Sequence, residues 1–216
     1  IGGNNYYKNC YVDLKETCLR SETTVKVFDQ MRKLQGFTDE GSPGRDWNVA
    51  TGMVIEGKAG FQIMGDWAKG EFTAAGKVPG VDYYCAATPS NNGYLYNVDS
   101  FIFYKTSDPD KQAGQKLLAK LMMGKNFQKV FNLYKGSIPA RLDVPMDEFD
   151  KCAKTSNSDI KTAGASGGLV PSFAHGMAQG NTMKAALQDV ITEHFNSDMS
   201  SKDAANALAD SVLDNM

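Results

Sequence analysis

Apolar residues recur at intervals of three and four along much of the chain, which is the spacing of an amphipathic helix. The clearest such stretch covers residues 21–35, which Ser21 can cap and Gly36 ends. Further helices are predicted after Asp46, after Asp66, after Asp108, from Asn126 to Gly136, in short pieces around residues 146–154, from Asn181 and from near Ser200. The pattern therefore predicts a chain rich in helix.

Short apolar runs between these helices predict strands. They are AGFQIM at residues 59–64, VDYYCAATP at residues 81–89 and YNVDSFIFYK at residues 96–105. The last two are separated by SNNG, residues 90–93, which is typical of a turn. Because short strands alternate with helices, we expect an α/β fold.

Composition and charge exclude several classes of protein. The chain has 216 residues, and 23 Lys+Arg against 25 Asp+Glu give a formal net charge of −2. A near-neutral chain lacks the positive surface of a nucleic-acid binder. Its apolar runs are far shorter than the roughly 18 residues that a membrane span requires. We therefore expect one or two globular domains, no nucleic-acid partner and no direct insertion into a membrane.

The four cysteines are Cys10, Cys18, Cys85 and Cys152. They show no C-x-x-C spacing, and the chain has only two histidines, so the sequence does not support a zinc site. An even number of cysteines agrees with an oxidising compartment, while free buried thiols are the alternative. Four cysteines allow three pairings, and their spacing alone leaves the choice open.

Both tryptophans directly follow an aspartate that begins a predicted helix, as Asp46-Trp47 and Asp66-Trp67. An indole displayed at the end of an element can stack on a flat apolar surface, such as the C–H face of a pyranose ring or a base. The alternative for each tryptophan is an anchor in the core. Their matching contexts favour a stacking role.

Two polar residues are further candidates for ligand contacts. Asp99 lies where a predicted strand becomes apolar, and its carboxylate could accept hydrogen bonds from two hydroxyls of a neutral polyol. A turn or cap carboxylate is the alternative. His175 lies in the irregular stretch PSFAHGMAQG, from which its side chain could enter a cleft or remain at the surface. His194 lies within a predicted helix and is interpreted as structural.

One catalytic pattern is present. GASGG at residues 164–168 matches the G-x-S-x-G nucleophile elbow, which would make Ser166 the nucleophile of a serine hydrolase. That elbow requires an apolar strand before the serine, whereas the preceding residues TSNSDIKTA are polar. His175 follows Ser166 too closely to admit the acidic residue of a triad between them on a separate strand. A serine hydrolase and a non-catalytic interaction domain remain the alternative functions. The sequence carries no phosphate, dinucleotide or metalloprotease motif, so no cofactor or metal is expected.

Three longer sequence segments follow one another along the chain: GKAGFQIMGDWAKGEF at residues 57–72, NVDSFIFYKTSDPDKQAGQKLLAKLM at residues 97–122, and YKGSIPARLDV at residues 134–144. Together they resemble the sugar-binding proteins of bacterial ABC transporters, the extracellular solute-binding family 1, and most closely its glucose/mannose-binding branch. The resemblance covers nearly the whole chain. It implies a periplasmic protein, not an enzyme, that binds a monosaccharide such as glucose between two lobes and delivers it to the membrane subunits of an ABC permease.

The same resemblance implies a periplasmic-binding-protein-like type II fold of the α/β class. Family members are twice as long as this chain, so it resembles their C-terminal part. Residues 1–97 and 141–216 are expected to form the C-terminal lobe, and residues 98–140 are expected to cross to the N-terminal lobe. The chain begins with Ile1 and a stretch unlike a signal peptide. We expect this start to arise by processing or proteolysis, with the N-terminal lobe and the signal peptide in an absent part.

The resemblance to this family also implies roles for individual residues. Four sugar contacts are implied: stacking by Trp47 and Trp67, binding of hydroxyls by Asp99, and a polar contact by His175. Asp66 and Lys69 are weaker candidates, because Asp66 could cap a helix and Lys69 could be solvated. The resemblance also implies two disulfides, one between Cys85 and Cys152 and one between Cys10 and Cys18.

Overall fold

Most of the chain that the computed structural model describes, residues 1–89 and 93–216, is helical. The helices are α1 (Gly3–Tyr7), α2 (Glu16–Leu19), α3 (Glu22–Gln35), α4 (Trp47–Ile55), α5 (Lys69–Ala74), α6 (Pro109–Met122), α7 (Lys125–Lys135), α8 (Lys151–Ala165), α9 (Asn181–Asn196) and α10 (Ser201–Asp214). A π-helical segment at Lys8–Val12 continues α1, and a 3₁₀ turn at Asp66–Ala68 precedes α5. Within the described residues, no helix is both long enough and apolar enough to cross a membrane.

A small parallel sheet accompanies the helices. Strand β1 (Tyr94–Tyr96) pairs with β2 (Leu169–Pro171), with Leu95 opposite Val170. A parallel pair requires a long connection between its strands, and here the connection includes α6, α7 and α8. The mixed, helix-rich fold is consistent with that of a solute-binding protein.

The chain divides into two compact units. The first unit comprises residues 1–44, 89–97 and 160–216, and the second comprises residues 45–88 and 98–159. The lobe boundaries expected from the resemblance refer to a longer protein, and they stay a prediction.

The core of the first unit is built by α3, α9 and α10. Residues three and four apart on α10 form one apolar face, and the buried members of that face are Ala204, Ala205, Leu208, Ala209 and Val212. This face packs with Phe28 of α3 and Leu187 of α9. Cys10 is fully buried in the same cluster and forms a disulfide with Cys18, which is the expected pairing.

The second unit has a smaller apolar cluster around Val144, Phe149 and Ala153. A disulfide joins Cys85 to Cys152 at the start of α8, again the expected pairing. It fixes the extended segment before residue 89 to this helix. The two disulfides leave no free cysteine in the described chain.

Most of the predicted helices are confirmed, and their caps explain why. The Ser21 hydroxyl accepts a hydrogen bond from Thr24 N–H at the start of α3, and the Asp108 carboxylate accepts one from Asp110 N–H at the start of α6. Helix α7 is confirmed with Gly124 instead of Asn126 at its N-cap. The short helices predicted around residues 146–154 are wrong, since a single helix, α8, runs from Lys151 to Ala165.

The three predicted strands are largely wrong. Residues 59–64 and 81–89 have no strand, and only Tyr96 of the third run lies in β1. A strand requires a hydrogen-bonded neighbour, and within the described residues these runs have none beyond an isolated bridge from Pro79 to Tyr83. Most of their apolar side chains are exposed, with Phe61 at 95%. Of the turn predicted at residues 90–93, residues 90–92 lie outside the described residues.

Candidate functional site

The second unit contains five of the six predicted contact residues, namely Trp47, Asp66, Trp67, Lys69 and Asp99. His175 belongs to the first unit.

Trp67 lies in the 3₁₀ turn that leads into α5, and its ring folds back over the backbone of Gly65. A Cβ added to Gly65 would lie only 2.2 Å from Cζ3 of the indole. The ring is half-buried, so one part packs on the chain while another meets solvent. The absence of a side chain at residue 65 therefore sets the position of this indole.

Asp66, directly before Trp67, connects the turn to the segment that follows α7. Its Oδ2 accepts a hydrogen bond from Ile138 N–H at 3.2 Å. Burial raises the pKa of Asp66 above its ordinary value, while the positive charges of Lys69 and Lys135 oppose that rise. The capping position of the turn is Gly65, so the structure does not support Asp66 as a helix cap.

Lys69 is buried, with 6% of the residue exposed, and the interpretation of a solvated lysine is wrong. Its Nζ donates a hydrogen bond to Oδ2 of Asp150 at 2.7 Å. Burial alone would raise the pKa of Asp150, but the hydrogen bonds from Lys69 and from Ala153 N–H outweigh burial and lower that pKa. Lys69, which directly follows the turn that carries Trp67, thus neutralises the Asp150 carboxylate.

Asp99 pairs with Lys135, the last residue of α7. Asp99 is exposed, whereas Lys135 is half-buried with its Nζ 5.8 Å from the centroid of the Phe131 ring. The charge of Lys135 also acts on Asp66. Lys135 therefore links the exposed carboxylate at residue 99 electrostatically to the turn that carries Trp67.

Trp47 is the first residue of α4, and 40% of it is exposed. Its carbonyl accepts a hydrogen bond from Nε2 of Gln62 at 2.9 Å, and Oε1 of Gln62 lies 2.8 Å from the hydroxyl of Thr51. Thr51 is fully buried. The helix start that carries Trp47 is thus fixed to the segment that precedes Trp67.

In the first unit, His175 lies in the turn after β2. Its Nδ1 lies 2.7 Å from the hydroxyl oxygen of Ser172, which is buried, while the histidine itself is exposed. Ser172 received no role from the sequence, because a serine three residues before a histidine carries no recognised pattern.

Residues 10–163 match the family model described as bacterial extracellular solute-binding protein. The chain belongs to this family. The resemblance is thereby confirmed at the level of the family, while the glucose/mannose branch stays a prediction.

Three relatives extend this result. The chain is 46% identical over 211 residues to a protein of Brucella suis biovar 1 (strain 1330) named "Probable sugar-binding periplasmic protein", covering 97% of the chain and 50% of that protein. It is 43% identical over 211 residues to a protein of the same name from Rhizobium meliloti (strain 1021), covering 97% of the chain and 51% of that protein. Similarity to a Haloferax volcanii xylose/arabinose-binding protein is 27% over 171 residues, 77% of the chain and 36% of that protein. The chain spans about half the length of the curated relatives it matches.

For this solute-binding family member, the alternative of a serine hydrolase at Ser166 finds no structural support. Ser166 follows a helix, α8, where a nucleophile elbow requires a strand. Its hydroxyl donates locally to the carbonyl of Thr162 at 3.1 Å. Among residues 1–89 and 93–216, no group of three or more His, Cys, Asp and Glu side chains could hold a metal ion.

Proposed function

We propose that the protein containing this chain binds a monosaccharide in the periplasm and delivers it, chemically unchanged, to the membrane subunits of an ABC permease. The observation that carries the proposal is the 46% identity, over 97% of the chain, to a protein whose name describes sugar binding in the periplasm. In this proposal the protein is a binding protein and not an enzyme.

The chemistry of the second unit supports a neutral polyol as the ligand. Trp67 offers part of an indole face, which suits the C–H face of a sugar ring. Asp99 offers an exposed carboxylate that accepts hydrogen bonds from hydroxyls, and Lys135 supplies the countercharge. Lys69 and Lys135 offset the negative charges of Asp66 and Asp150, so these residues do not present the excess charge that would favour a charged ligand.

Trp47 and His175 are proposed as the remaining contacts, the first by stacking and the second by hydrogen bonding. Asp66 and Lys69 are proposed to act indirectly, because both are engaged with the protein itself. Glucose is the first candidate ligand. The xylose/arabinose-binding relative makes pentoses the informative comparison.

We further propose that the whole protein has the two-lobed type II fold, with a signal peptide and an N-terminal lobe outside this sequence. Residues 1–97 and 141–216 would form most of one lobe, and residues 98–140 would cross to the other. The exposed apolar runs that contain Phe61 and Ile102 support this proposal, since continuous apolar runs of strand composition are normally covered on both faces.

Calorimetric titration of the full-length protein with glucose, mannose, xylose and arabinose tests the function. Trp67→Ala should weaken binding of the preferred sugar about tenfold or more, since one stacking contact contributes roughly 1 kcal/mol beyond its area. Ser166→Ala is the matched control, and its affinity should equal that of the unmodified protein. Absence of heat with all four sugars would overturn the proposal for monosaccharides of this kind, and an unchanged affinity in Trp67→Ala would remove Trp67 from the site.

A further inference from the structure

The turn after β2 is held rigidly at Ser172. Its backbone N–H donates to the carbonyl of Tyr96 at 2.8 Å, which extends the parallel pairing by one residue. Its carbonyl accepts hydrogen bonds from Met177 N–H at 2.9 Å and Ala178 N–H at 3.2 Å. Both backbone polar groups of Ser172 are therefore satisfied, and the direction of its side chain is fixed.

Tyr7 fixes the residues on either side of Ser172. Its hydroxyl donates to the carbonyl of Pro171 and accepts from Phe173 N–H, each at 2.8 Å. Burial raises the pKa of Tyr7, and the hydrogen bond from Phe173 only partly opposes that rise, so the phenol remains protonated and able to donate. The turn after β2 is thus held both by the backbone hydrogen bonds of Ser172 and by the Tyr7 side chain.

The Ser172 hydroxyl contacts both the ring and the backbone of His175. Its oxygen lies 2.7 Å from Nδ1 of the imidazole, and it accepts a longer hydrogen bond of 3.4 Å from His175 N–H. Ser172 is 1% exposed, and the described residues offer its hydroxyl hydrogen no other acceptor than Nδ1. A buried hydroxyl without an acceptor is unfavourable, because it has lost its hydrogen bonds to water. The Ser172 hydroxyl therefore donates its hydrogen to Nδ1 of His175.

We infer that Ser172 is a positioning residue that holds the neutral His175 ring in the tautomer with hydrogen on Nε2. Nδ1 accepts from the serine, so Nε2 carries the ring hydrogen and becomes a donor. Hydrogen positions follow here from the hydrogen-bond network. Where His175 contacts the ligand, which rests on the proposed function, it offers a donor, the opposite of the acceptor that Asp99 offers.

This assignment defines the chemistry that His175 selects. An Nε2–H donor requires an acceptor on the ligand, such as a hydroxyl, ring or anomeric oxygen of a sugar. A ligand that presents only a hydrogen-bond donor at that point would leave two donors facing each other. Ser172 therefore contributes to specificity without touching the ligand.

Nitrogen NMR of the labelled protein tests the tautomer directly. Couplings between the ring carbon-bound protons and the two ring nitrogens distinguish a protonated from an unprotonated nitrogen. The sequence has two histidines, so the signals that disappear in His175→Gln belong to His175. We expect an unprotonated Nδ1 and a protonated Nε2, and the reverse assignment would overturn the inference.

Three variants separate positioning from folding. Ser172→Ala removes the donor to Nδ1 and should lower the share of the tautomer that carries hydrogen on Nε2. Ser172→Thr keeps the hydroxyl and should restore the single tautomer. Tyr7→Phe removes the hydrogen bonds that hold the same turn but keeps the Ser172 hydroxyl, so it should leave the tautomer of His175 unchanged. An unaltered tautomer in Ser172→Ala would show that another group fixes the ring.

Affinity for glucose gives the functional part of the test. Ser172→Ala should weaken glucose binding by roughly three- to tenfold, the effect of one poorly oriented hydrogen bond, and Ser172→Thr should recover it. Equal glucose affinity in Ser172→Ala and in unmodified protein would overturn the role in specificity. If the unmodified protein does not bind glucose, the proposed function fails for that sugar, whereas the NMR result still decides the tautomer.

Discussion

Gly70 and Gly136 contact each other through their backbones. A Cβ added to Gly136 would lie 2.5 Å from the nitrogen of Gly70, and one added to Gly70 would lie 2.8 Å from the carbonyl oxygen of Lys135. This contact brings the start of α5 against the end of α7. It therefore places Lys69 and Lys135, the two cations of the candidate site, on adjoining backbone segments.

Gly136→Ala should lower the free energy of unfolding by about 2 kcal/mol or more. The residue has φ of 87°, in the left-handed region, and the added methyl would also collide with backbone, which cannot rotate away. Urea denaturation followed by circular dichroism measures the change. Gly114→Ala is the control, because a Cβ there meets nothing within 4 Å, and alanine in an exposed helix should stabilise by roughly 0.5–1 kcal/mol. Equal effects of the two substitutions would contradict the backbone contact.

Gly65→Ala should displace the Trp67 ring without unfolding the protein. The new methyl would lie within 2.2–2.6 Å of three ring atoms, so the indole has to rotate away from the backbone. We expect a shifted tryptophan emission maximum and a loss of sugar affinity comparable to that of Trp67→Ala. In the control Gly60→Ala, the added Cβ has no atom within 4 Å. This substitution should change neither the emission maximum nor the sugar affinity. An unaltered emission spectrum in Gly65→Ala would show that the ring lies elsewhere.

Lys69→Met should lower the free energy of unfolding by about 1–3 kcal/mol near neutral pH. It leaves the Asp150 carboxylate without its ammonium partner in a partly buried place. Because the pKa of Asp150 is lowered in the folded protein, its contribution to stability is present above its ordinary pKa and is lost as pH falls below that value. The deficit of the variant should therefore shrink in acid.

The matched control for this prediction is Lys111→Met. Lys111 is exposed and lies 3.7 Å from Asp108, so its removal should change stability by less than about 1 kcal/mol. Denaturation of both variants at several pH values makes the comparison. A deficit in Lys69→Met that persists unchanged in acid would show that lost packing, and not lost charge pairing, is responsible.

Acid should destabilise the first unit through His194. The imidazole is fully buried and packs against the Phe28 ring in a tilted arrangement, with ring centroids 4.7 Å apart. Burial and the charge of Arg32 lower its pKa, against a weaker opposing effect of Asp29. Since the unfolded chain takes up the proton first, stability should fall as pH drops below the ordinary value of about 6.5.

His194→Leu removes this titration and should flatten the dependence of stability on pH between about 7 and 5. The slope, and not the absolute stability, is the readout, so repacking around the leucine does not obscure it. A slope that is the same in His194→Leu and in the unmodified protein would exclude His194 as its source.

Loss of the disulfide between Cys85 and Cys152 should lower the free energy of unfolding by about 4 kcal/mol. The two cysteines are 67 residues apart, and closing a loop of that size in the unfolded chain accounts for this value. Cys85→Ala/Cys152→Ala should also expose the segment before residue 89 to limited proteolysis. A reducing agent should destabilise the unmodified protein more than this variant, which keeps only the bridge from Cys10 to Cys18.

Helices could be predicted from the sequence because their determinants are local. The cap at Ser21 lies next to the apolar residues of α3, and Pro109 marks the start of α6. The strands could not be predicted in the same way, since a strand depends on a neighbour distant in sequence. The apolar run that contains Phe61 has strand composition and no strand partner among the described residues.

The candidate site shows the same division. Trp47, Trp67 and Asp99 could be selected because each lies at the end of a predicted element. Lys69 and Asp150 are 81 residues apart, so no pattern within one segment could indicate their ion pair. Lys135 lies inside a phrase that resembles the family, yet its pairing with Asp99 follows only from the packing of α7.

The exposed apolar runs of the second unit have a consequence for handling this polypeptide. Phe61, Ile63, Ile102 and Tyr104 all face solvent within runs of high strand propensity that lack proline. Such runs associate with like runs from other molecules and attract chaperones and proteases. We therefore expect this sequence, expressed by itself, to aggregate as its concentration rises and to be cleared by cellular quality control.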